Sequence, residues 1–515
     1  MSPSVPRFIR NPEFIGATAI GAAFLALYTY TLAPDILGHD VADWQAAGVT
    51  LGISHSPGSP AYTILSWLVS RVPVGNAAAR VSFVSALMGA AGVVAVFVFM
   101  LLLLDRWLPA VVAAVTLGLG GQWWSQASVA QPYNSVATVV AVLLILLLLW
   151  HRKGDVRLVW GGALLTGVEL AYHPSLLYFI PVLLAGMIIL GPWRKLLSPK
   201  PLAVTAALLL AGLSLYAYLP IRGAMNPVIL SEKITSLPHL FRFVTVSNAR
   251  STGTFSTEIP GQGELRERLS EVVRQGYFPS YAFLVFAPAL TLLYPTVLRR
   301  LKKNRRFLLF LLGGALAHMA IVFVISGIYV QYYLPLLVYF ALWAGFSIYL
   351  IMIVAEDYLD DRRLAIGAVS FAVAIYAVVL ALGLPHIWPY VNHNDDRSMR
   401  AFTRWTFSQA KPGAVILANW ESYTGLIYVQ KVDGQRPDVK IISVAQDAWR
   451  QTANDIEHDS PGKQILLART LPFDDGEGAS PVGPVYFLDI KGRTYQNHSH
   501  GQPYASAVEL FEVRQ

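Results

Sequence analysis

Long apolar runs alternate with short polar connections from residue 14 to residue 385, and the pattern then changes. A helix needs roughly 20 apolar residues to cross a bilayer. By that measure the runs predict about eleven spans, at 14–34, 81–104, 108–122, 134–150, 158–172, 175–190, 201–219, 279–297, 307–327, 332–354 and 364–385. The third and fifth are short for a span, which predicts tilt or a break near the membrane surface. Between the spans, the polar stretch 220–278 contains GELRERLSEVVRQ (263–275), expected as an amphipathic surface helix. After residue 385, short β-rich runs appear at 414–418, 439–444, 464–468, 485–490 and 507–513. Helical stretches near 397–410, 421–431 and 445–456 separate the first of them. Strand–helix alternation predicts a small α/β domain with a partly parallel sheet. The expected fold class is a polytopic α-helical membrane protein, residues 1–385, with first outer loop 35–80 and long outer loop 220–278. A C-terminal α/β domain, 386–515, completes it.

Composition supports the membrane assignment. Of 515 residues, 55% are apolar and 14% charged, against about 25% charged in a soluble domain. The net charge of +8 sits in short loops between spans, so membrane topology accounts for it and nucleic acid is not an expected partner. There is no cysteine, which excludes disulfides, thiolate nucleophiles and Cys-ligated metal. Arg7 and Arg10 precede the first apolar run, which lacks a small-residue cleavage site and reads as a span.

The positive-inside rule orients the spans. With the N-terminus in the cytoplasm, the inner loops hold Arg106, Arg152, Lys153, Arg157, Arg194, Lys195, Lys200, the basic run 299–306, Arg362 and Arg363. The expected location is the plasma (inner) membrane, multi-pass, with the C-terminal domain extracytoplasmic. The unusual polar clusters then all fall on the outer face, where the chemistry is expected.

The densest cluster is HDVADWQAAGVTLGISHSPGSPAY, residues 39–62. Acids at the outer mouth of a span are costly unless hydrated or paired, which marks a site. Asp40 reads as the N-cap of a helix starting at Val41, with Asp43 at its third position and Gly52 ending it. Ser59 and Pro60 read as the start of another helix. The same acid is a candidate general base for an alcohol, and His55 a candidate partner for phosphate or hydroxyl. In WWSQASVAQPYN (123–134), Trp124, Gln126, Gln131 and Tyr133 read either as an interfacial aromatic belt or as a sugar platform of rings and amides. Glu169 and His173 share a helix face, as a pair with each other or as part of a turn at His173-Pro174. Arg222 reads as a snorkelling anchor or as a fork for a lipid phosphate. Tyr332, in GIYVQYYLP (327–335), lines the same mouth or a second belt. No Walker A loop, HExxH or clean metal set is present. Few charges lie within the spans, which argues against an ion-coupled transporter.

These residues resemble the bacterial relatives of the transmembrane-protein-260 type of protein O-mannosyltransferase, in the GT-C superfamily. That family's first loop runs D-S-G-E, a helix, then L-G-x-x-H-P-P-G-Y-P. Asp40 falls on its Asp, Asp43 on its Glu, and Leu51, Gly52, His55, Pro57, Gly58 and Pro60 keep register. Ser56 and Ser59 depart from it. WSQASVAQPY (124–133) is similar to W-S-Q-x-x-x-A-E-V-Y, with Gln131 replacing the Glu. YLPIRGAMNP (218–227) resembles Y-L-P-[IL]-R-x-x-x-N-P, QYYLP (331–335) an outer Tyr-Leu-Pro motif, and 412–442 the family's outer segment with R-P-D-V.

The resemblance implies an inverting membrane glycosyltransferase. It would move mannose or a similar sugar from a polyprenyl-phosphate carrier to a protein Ser/Thr or glycan hydroxyl at the outer face, with neither metal nor cofactor required. Asp40 would be the base, and Asp43 would orient the acceptor or cap its helix. Arg222, His55, His173 and Tyr332 would serve the donor phosphate. Gln131, Tyr133, Trp124 and Gln126 would touch sugar or acceptor. Two alternatives stand beside this: a transporter or flippase of lipid-linked sugars, and a catalytically lapsed binding relative, which the loss of acid at Gln131 makes relevant.

Overall fold

The computed structural model describes residues 11–246 and 302–470, apart from 326–329 and 446–447. It also describes residues 266, 296 and 299 and the strand segments 479–481, 486–489 and 505–513. The span expected at 279–297 and the surface helix expected at 263–275 lie outside the described residues, residue 266 and residue 296 apart.

The first helix, α1 (Asn11–Tyr30), is apolar all round, and α2 (His39–Thr50) and α3 (Pro60–Ser70) form the loop after it. The membrane helices that follow are α4 (Ala77–Leu104), α5 (Trp107–Gly118), the short α6 (Gly121–Ala127), α7 (Tyr133–Lys153), α8 (Val156–Tyr172), α9 (Ile180–Leu190) and α10 (Pro199–Leu213). Two short helices come next, α11 (Tyr218–Ala224) and α12 (Leu237–Val244). Three long ones follow among the described residues, α13 (Arg305–Ile325), α14 (Leu334–Tyr358) and α15 (Arg362–Val391). Among the described residues, seven helices are long and apolar enough to cross a membrane, while α5 and α9 are shorter apolar helices. The run expected as one span at 108–122 is broken between α5 and α6. α15 runs on to Val391, past residue 386, and carries Pro385 and Pro389 within its last turns.

Helix α4, 28 residues long, rises roughly 42 Å at 1.5 Å per residue. Asn76 caps it by accepting the Ala78 N–H. α4, α7 and α14 are the most enclosed spans, whereas α10 and α15 turn most of their apolar surface outward, as lipid-facing helices do. Backbones approach closely where side chains are absent. A Cβ on Gly167 of α8 would sit 2.3 Å from the Leu209 carbonyl of α10. Small residues at such contacts substitute for hydrophobic driving force inside lipid.

The C-terminal α/β part contains α16 (Ser398–Gln409), β1 (Val415–Ala418), α17 (Trp420–Lys431), β2 (Lys440–Ser443), α18 (Trp449–Asp459) and β3 (Ile465–Thr470). Three more strands follow, β4 (Ala479–Pro481), β5 (Tyr486–Asp489) and β6 (Ala505–Val513). The order is β2-β1-β3-β6-β4, with β5 also on β6. β1 pairs in parallel with both β2 (Val415 to Lys440) and β3 (Val415 to Ile465), and β6 runs antiparallel to β3 (Leu466 to Glu512). Side chains alternate across the sheet. Ile416 and Ala418 face a core shared with Met399, Phe402, Leu426 and Val429, while Val415 and Leu417 face Trp449 and Ala453. Helices therefore cover both faces. The first of those cores also takes in Ile36, Ala46 and Ala47 of the first loop, so the α/β part is packed onto α2.

Candidate functional site

The chain leaves α1 through Asp35 and turns into α2. Gly38 is the N-cap of that helix, and His39 enters it with φ 58°. Asp40 lies in the first turn and makes no capping bond. Asp43 is not part of a capping box either. Its Oδ2 accepts the His55 backbone N–H (2.8 Å) and meets His55 Nδ1 (2.7 Å). The expected caps fail because both carboxylates turn toward the returning strand of the loop. The helix ends at Leu51, which takes the left-handed position (φ 53°) expected of Gly52. Gly52 instead lies against Ile229, where a Cβ would be 2.7 Å from a carbonyl. Ser59 and Pro60 start α3, as the sequence implies.

Asp40 Oδ1 gathers three partners: His39 Nδ1 at 3.2 Å, His55 Nε2 at 3.9 Å and the Trp420 indole N–H at 2.7 Å. Among the described residues, every recorded hydrogen bond and ion pair of this carboxylate falls on Oδ1, and its side chain stays 26% exposed. Burial works against the charge, but the nearby His39 and His55 and the Trp420 N–H outweigh it. They hold Asp40 well below the usual carboxylate range. Burial likewise opposes the His55 charge, and Asp40 and Asp43 overcome it, pushing the imidazole up to about 9. At neutral pH His55 is therefore an imidazolium, set between the carboxyl groups of Asp40 and Asp43. Trp44 stands 4.9 Å from the His55 ring and meets Tyr62 edge-on at 5.3 Å, and Tyr62 in turn meets Tyr172.

A second group faces this one. The Tyr133 ring is 4.9 Å from His173 and 5.6 Å from Tyr332, and Tyr178 is 5.9 Å from Tyr332. The Asp40 charge reaches the hydroxyls of Tyr133 and Tyr332, and the His55 charge reaches His173, so the two groups lie close together. His173 Nδ1 accepts the Ser175 backbone N–H (3.2 Å), so the ring is neutral with its proton on Nε2. Glu169 does not pair with it. Its Oε2 accepts from Ser135 (2.8 Å) deep in the helices.

The remaining expected residues lie elsewhere. Trp123 and Trp124 are buried in the main core, not in a belt, and the Trp124 N–H donates to Thr31 (2.8 Å). Gln126 and Gln131 are also buried, each with an Oε1 that has no hydrogen-bond partner among the described residues. Arg222 donates through Nε to the Leu51 carbonyl (2.7 Å) and through Nη2 to that of Thr50 (3.4 Å). It therefore sits at the far end of α2, roughly 15 Å from Asp40 along the helix axis at 1.5 Å per residue. Among the described residues there is no cluster of three or more His, Cys, Asp or Glu fit to hold a metal. Trp420, Tyr423 and His39 belong to the site although sequence reasoning passed over them. The available signal was an Asn-Trp pair directly after the apolar strand VILA.

Residues 40–196 match the family profile described as the Protein O-mannosyl-transferase TMEM260 N-terminal domain, a match that opens on Asp40 itself. Over that stretch the chain is similar to the TMEM260 proteins. It is 26% identical over 230 residues to the Protein O-mannosyl-transferase TMEM260 of Mus musculus, covering 42% of this chain and 32% of that protein. The match thus spans about a third of the curated relative. Among solved structures, ArnT from Cupriavidus metallidurans bound to undecaprenyl phosphate is similar over 97% of both chains, with TM-score 0.58 and 11% identity. Arabinosyltransferase EmbB from Mycobacterium smegmatis aligns at TM-score 0.42 and 12% identity, over 94% of this chain and 47% of that one. The ArnT likeness shows a GT-C-like membrane fold. The matched stretch contains Asp40, Asp43, His55, Gln131, Tyr133 and His173, whereas Arg222, Tyr332 and Trp420 lie beyond it.

Proposed function

We propose that the protein is a membrane glycosyltransferase that moves a sugar, mannose or similar, from a polyprenyl-phosphate carrier to an acceptor hydroxyl. The observation that carries this reading is the Asp40 carboxylate, held through Oδ1 while its Oδ2 has no hydrogen-bond partner among the described residues. The acceptor hydroxyl gives its proton to Oδ2 as its oxygen attacks the anomeric carbon. The bond from that carbon to the phosphate oxygen breaks, its electron pair leaves with the lipid phosphate, and the centre inverts. His55, as imidazolium, is the positive charge best placed to meet the phosphate as charge develops on it. A phosphate there draws the His55 charge away from Asp40, which raises the basicity of the carboxylate when donor is bound. Tyr133, His173 and Tyr332 offer ring faces and hydroxyls to the sugar. Arg222 acts here as an anchor of α2 rather than as a phosphate ligand.

The basic inner loops support an N-terminus in the cytoplasm and a site on the outer face of the plasma membrane. Protein Ser/Thr and glycan hydroxyls both suit this chemistry as acceptors, and none of its steps calls for a metal. The test is to incubate purified protein with polyprenyl-phospho-mannose and a membrane extract and to follow loss of the lipid-linked sugar. Consumption by wild type and none by Asp40→Asn supports the reading. Equal consumption by both variants, or none from a panel of polyprenyl-phospho-sugars, overturns it.

A further inference from the structure

The first loop does not hold Asp40 alone. In the C-terminal sheet, β1 lies between β2 and β3. The chain leaves β1 for β2 by way of α17, then crosses by way of α18 to β3 on the other side. Those helices cover opposite faces. The carboxyl end of β1 is therefore the switch point of the sheet, where open α/β sheets form a crevice. Trp420 stands at that point, two residues after Ala418, as the first residue of α17. Its indole N–H donates to Asp40 Oδ1 at 2.7 Å. Its ring meets His55 edge-on at 5.7 Å and stacks on Tyr423 at 5.9 Å.

The docking that brings Trp420 there is built from buried charge. Arg400 of α16 places Nη2 2.8 Å from Asp35 Oδ1 and Nε 3.1 and 3.2 Å from the two Asp35 oxygens. Its Nη1 pairs with Asp433 at the end of α17. Asp35 precedes Asp40 by five residues, so the clamp holds the C-terminal end of α17, and Trp420 its N-terminal end, against the loop that carries the acid.

We propose that Trp420 is a positioning residue of the transfer site: it pins Asp40 Oδ1 and so turns Oδ2 toward the acceptor hydroxyl, and the site is assembled from both parts of the chain. This rests on the glycosyl-transfer reading for its consequence and on the indole–carboxylate contact for its geometry. Phenylalanine keeps a ring and loses the N–H, while histidine restores a donor.

The experiment uses the full chain, polyprenyl-phospho-mannose as donor and a membrane extract as acceptor. W420F should lower kcat by about 10- to 100-fold, the loss expected of a misplaced catalytic group. KM for the donor should stay within about two-fold, because ground-state binding is untouched. The acid limb of the pH–rate profile should move to higher pH, since a donor favouring the charged carboxylate is gone. W420H should recover most of the loss. In parallel, the 15N indole signal of Trp420, assigned by its absence in W420F, should shift in Asp40→Asn. Wild-type kcat and pH profile in W420F, or equal loss in W420F and W420H, would overturn the inference. Should wild type consume no lipid-linked sugar, the functional reading falls, and the indole signal decides the contact: a shift in Asp40→Asn upholds it and an unmoved signal overturns it.

Discussion

Asp35 and Asp40 stand five residues apart in one loop and have opposite fates. Asp35 is buried with both oxygens engaged, by the Arg400 fork, the Ile36 N–H (2.8 Å) and the Asn76 amide (2.9 Å). Asp40 is held through one oxygen and stays partly open. A buried carboxylate with both oxygens engaged has little left to offer a substrate, and it locks elements together. A carboxylate satisfied on one side only is oriented and still reactive. The same residue type thus joins two parts of the chain at one position and, in the proposed reaction, takes up a proton at the next.

The largest expected effect is at the open acid. Asp40→Asn removes the proton acceptor and keeps the size and the Oδ1 contact, so turnover of lipid-linked sugar should fall at least about 1,000-fold. The thermal unfolding temperature should hold within a few degrees. Retained turnover would erase the distinction between the two acids. Breaking the closed acid should cost stability as well as turnover. Arg400→Met leaves the Asp35 charge buried without its partner, a loss of about 3–5 kcal/mol for such pairs, read as a lower unfolding temperature. Turnover should fall with it, because Trp420 leaves Asp40. An unchanged unfolding temperature would show that the Arg400 fork is not what docks the α/β part.

Sequence alone made one half of this comparison legible. The run from His39 to Tyr62 announces itself by acids next to a span, and Ser59-Pro60 announces the next helix correctly. Strands near 415–418, 440–443 and 465–470 were readable from apolar β-rich runs, whereas the three-residue strand Ala479–Pro481 was too short to show. What local reasoning could not supply is partnership across distance. Trp420 reaches Asp40 over 380 positions, and Arg400 reaches Asp35 over 365. Asp43 looked like a cap because its spacing suits one, but the loop returns His55 to it and a charged partner outcompetes a helix N–H. Trp123 and Trp124 looked interfacial by type, yet the break between α5 and α6 turns them into the core.

A smaller effect belongs to the imidazolium between the acids. His55 sits at about 9 in the folded protein against an ordinary value of 6.5. The raised value makes its contribution to stability complete below about 6.5, and that contribution is lost as pH rises through 9. If His55 also meets the leaving phosphate, turnover should show an alkaline limb near the same pH. His55→Gln should remove that limb and lower turnover at pH 7 by about 10- to 100-fold, within the range for one electrostatic contact in a transition state. A limb that persists in the variant would assign it to another group.

The smallest effect tests a residue that belongs to neither acid. Arg222 matches a conspicuous motif, and its fork suits phosphate. In the structure that fork is spent on the carbonyls of Thr50 and Leu51, the negative end of α2, where a cation is worth roughly 0.3–1 kcal/mol. Arg222→Met should therefore lower the unfolding temperature by a few degrees at most, while kcat and donor KM stay within about three-fold. Arg222→Lys should restore the unfolding temperature in part, because charge at a helix end matters more than the shape of the fork. A large rise in donor KM in both variants would instead mean that the guanidinium leaves those carbonyls for the lipid phosphate. The end of α2 far from Asp40 would then take part in donor binding, and the divided roles of Asp35 and Asp40 would no longer describe the whole loop.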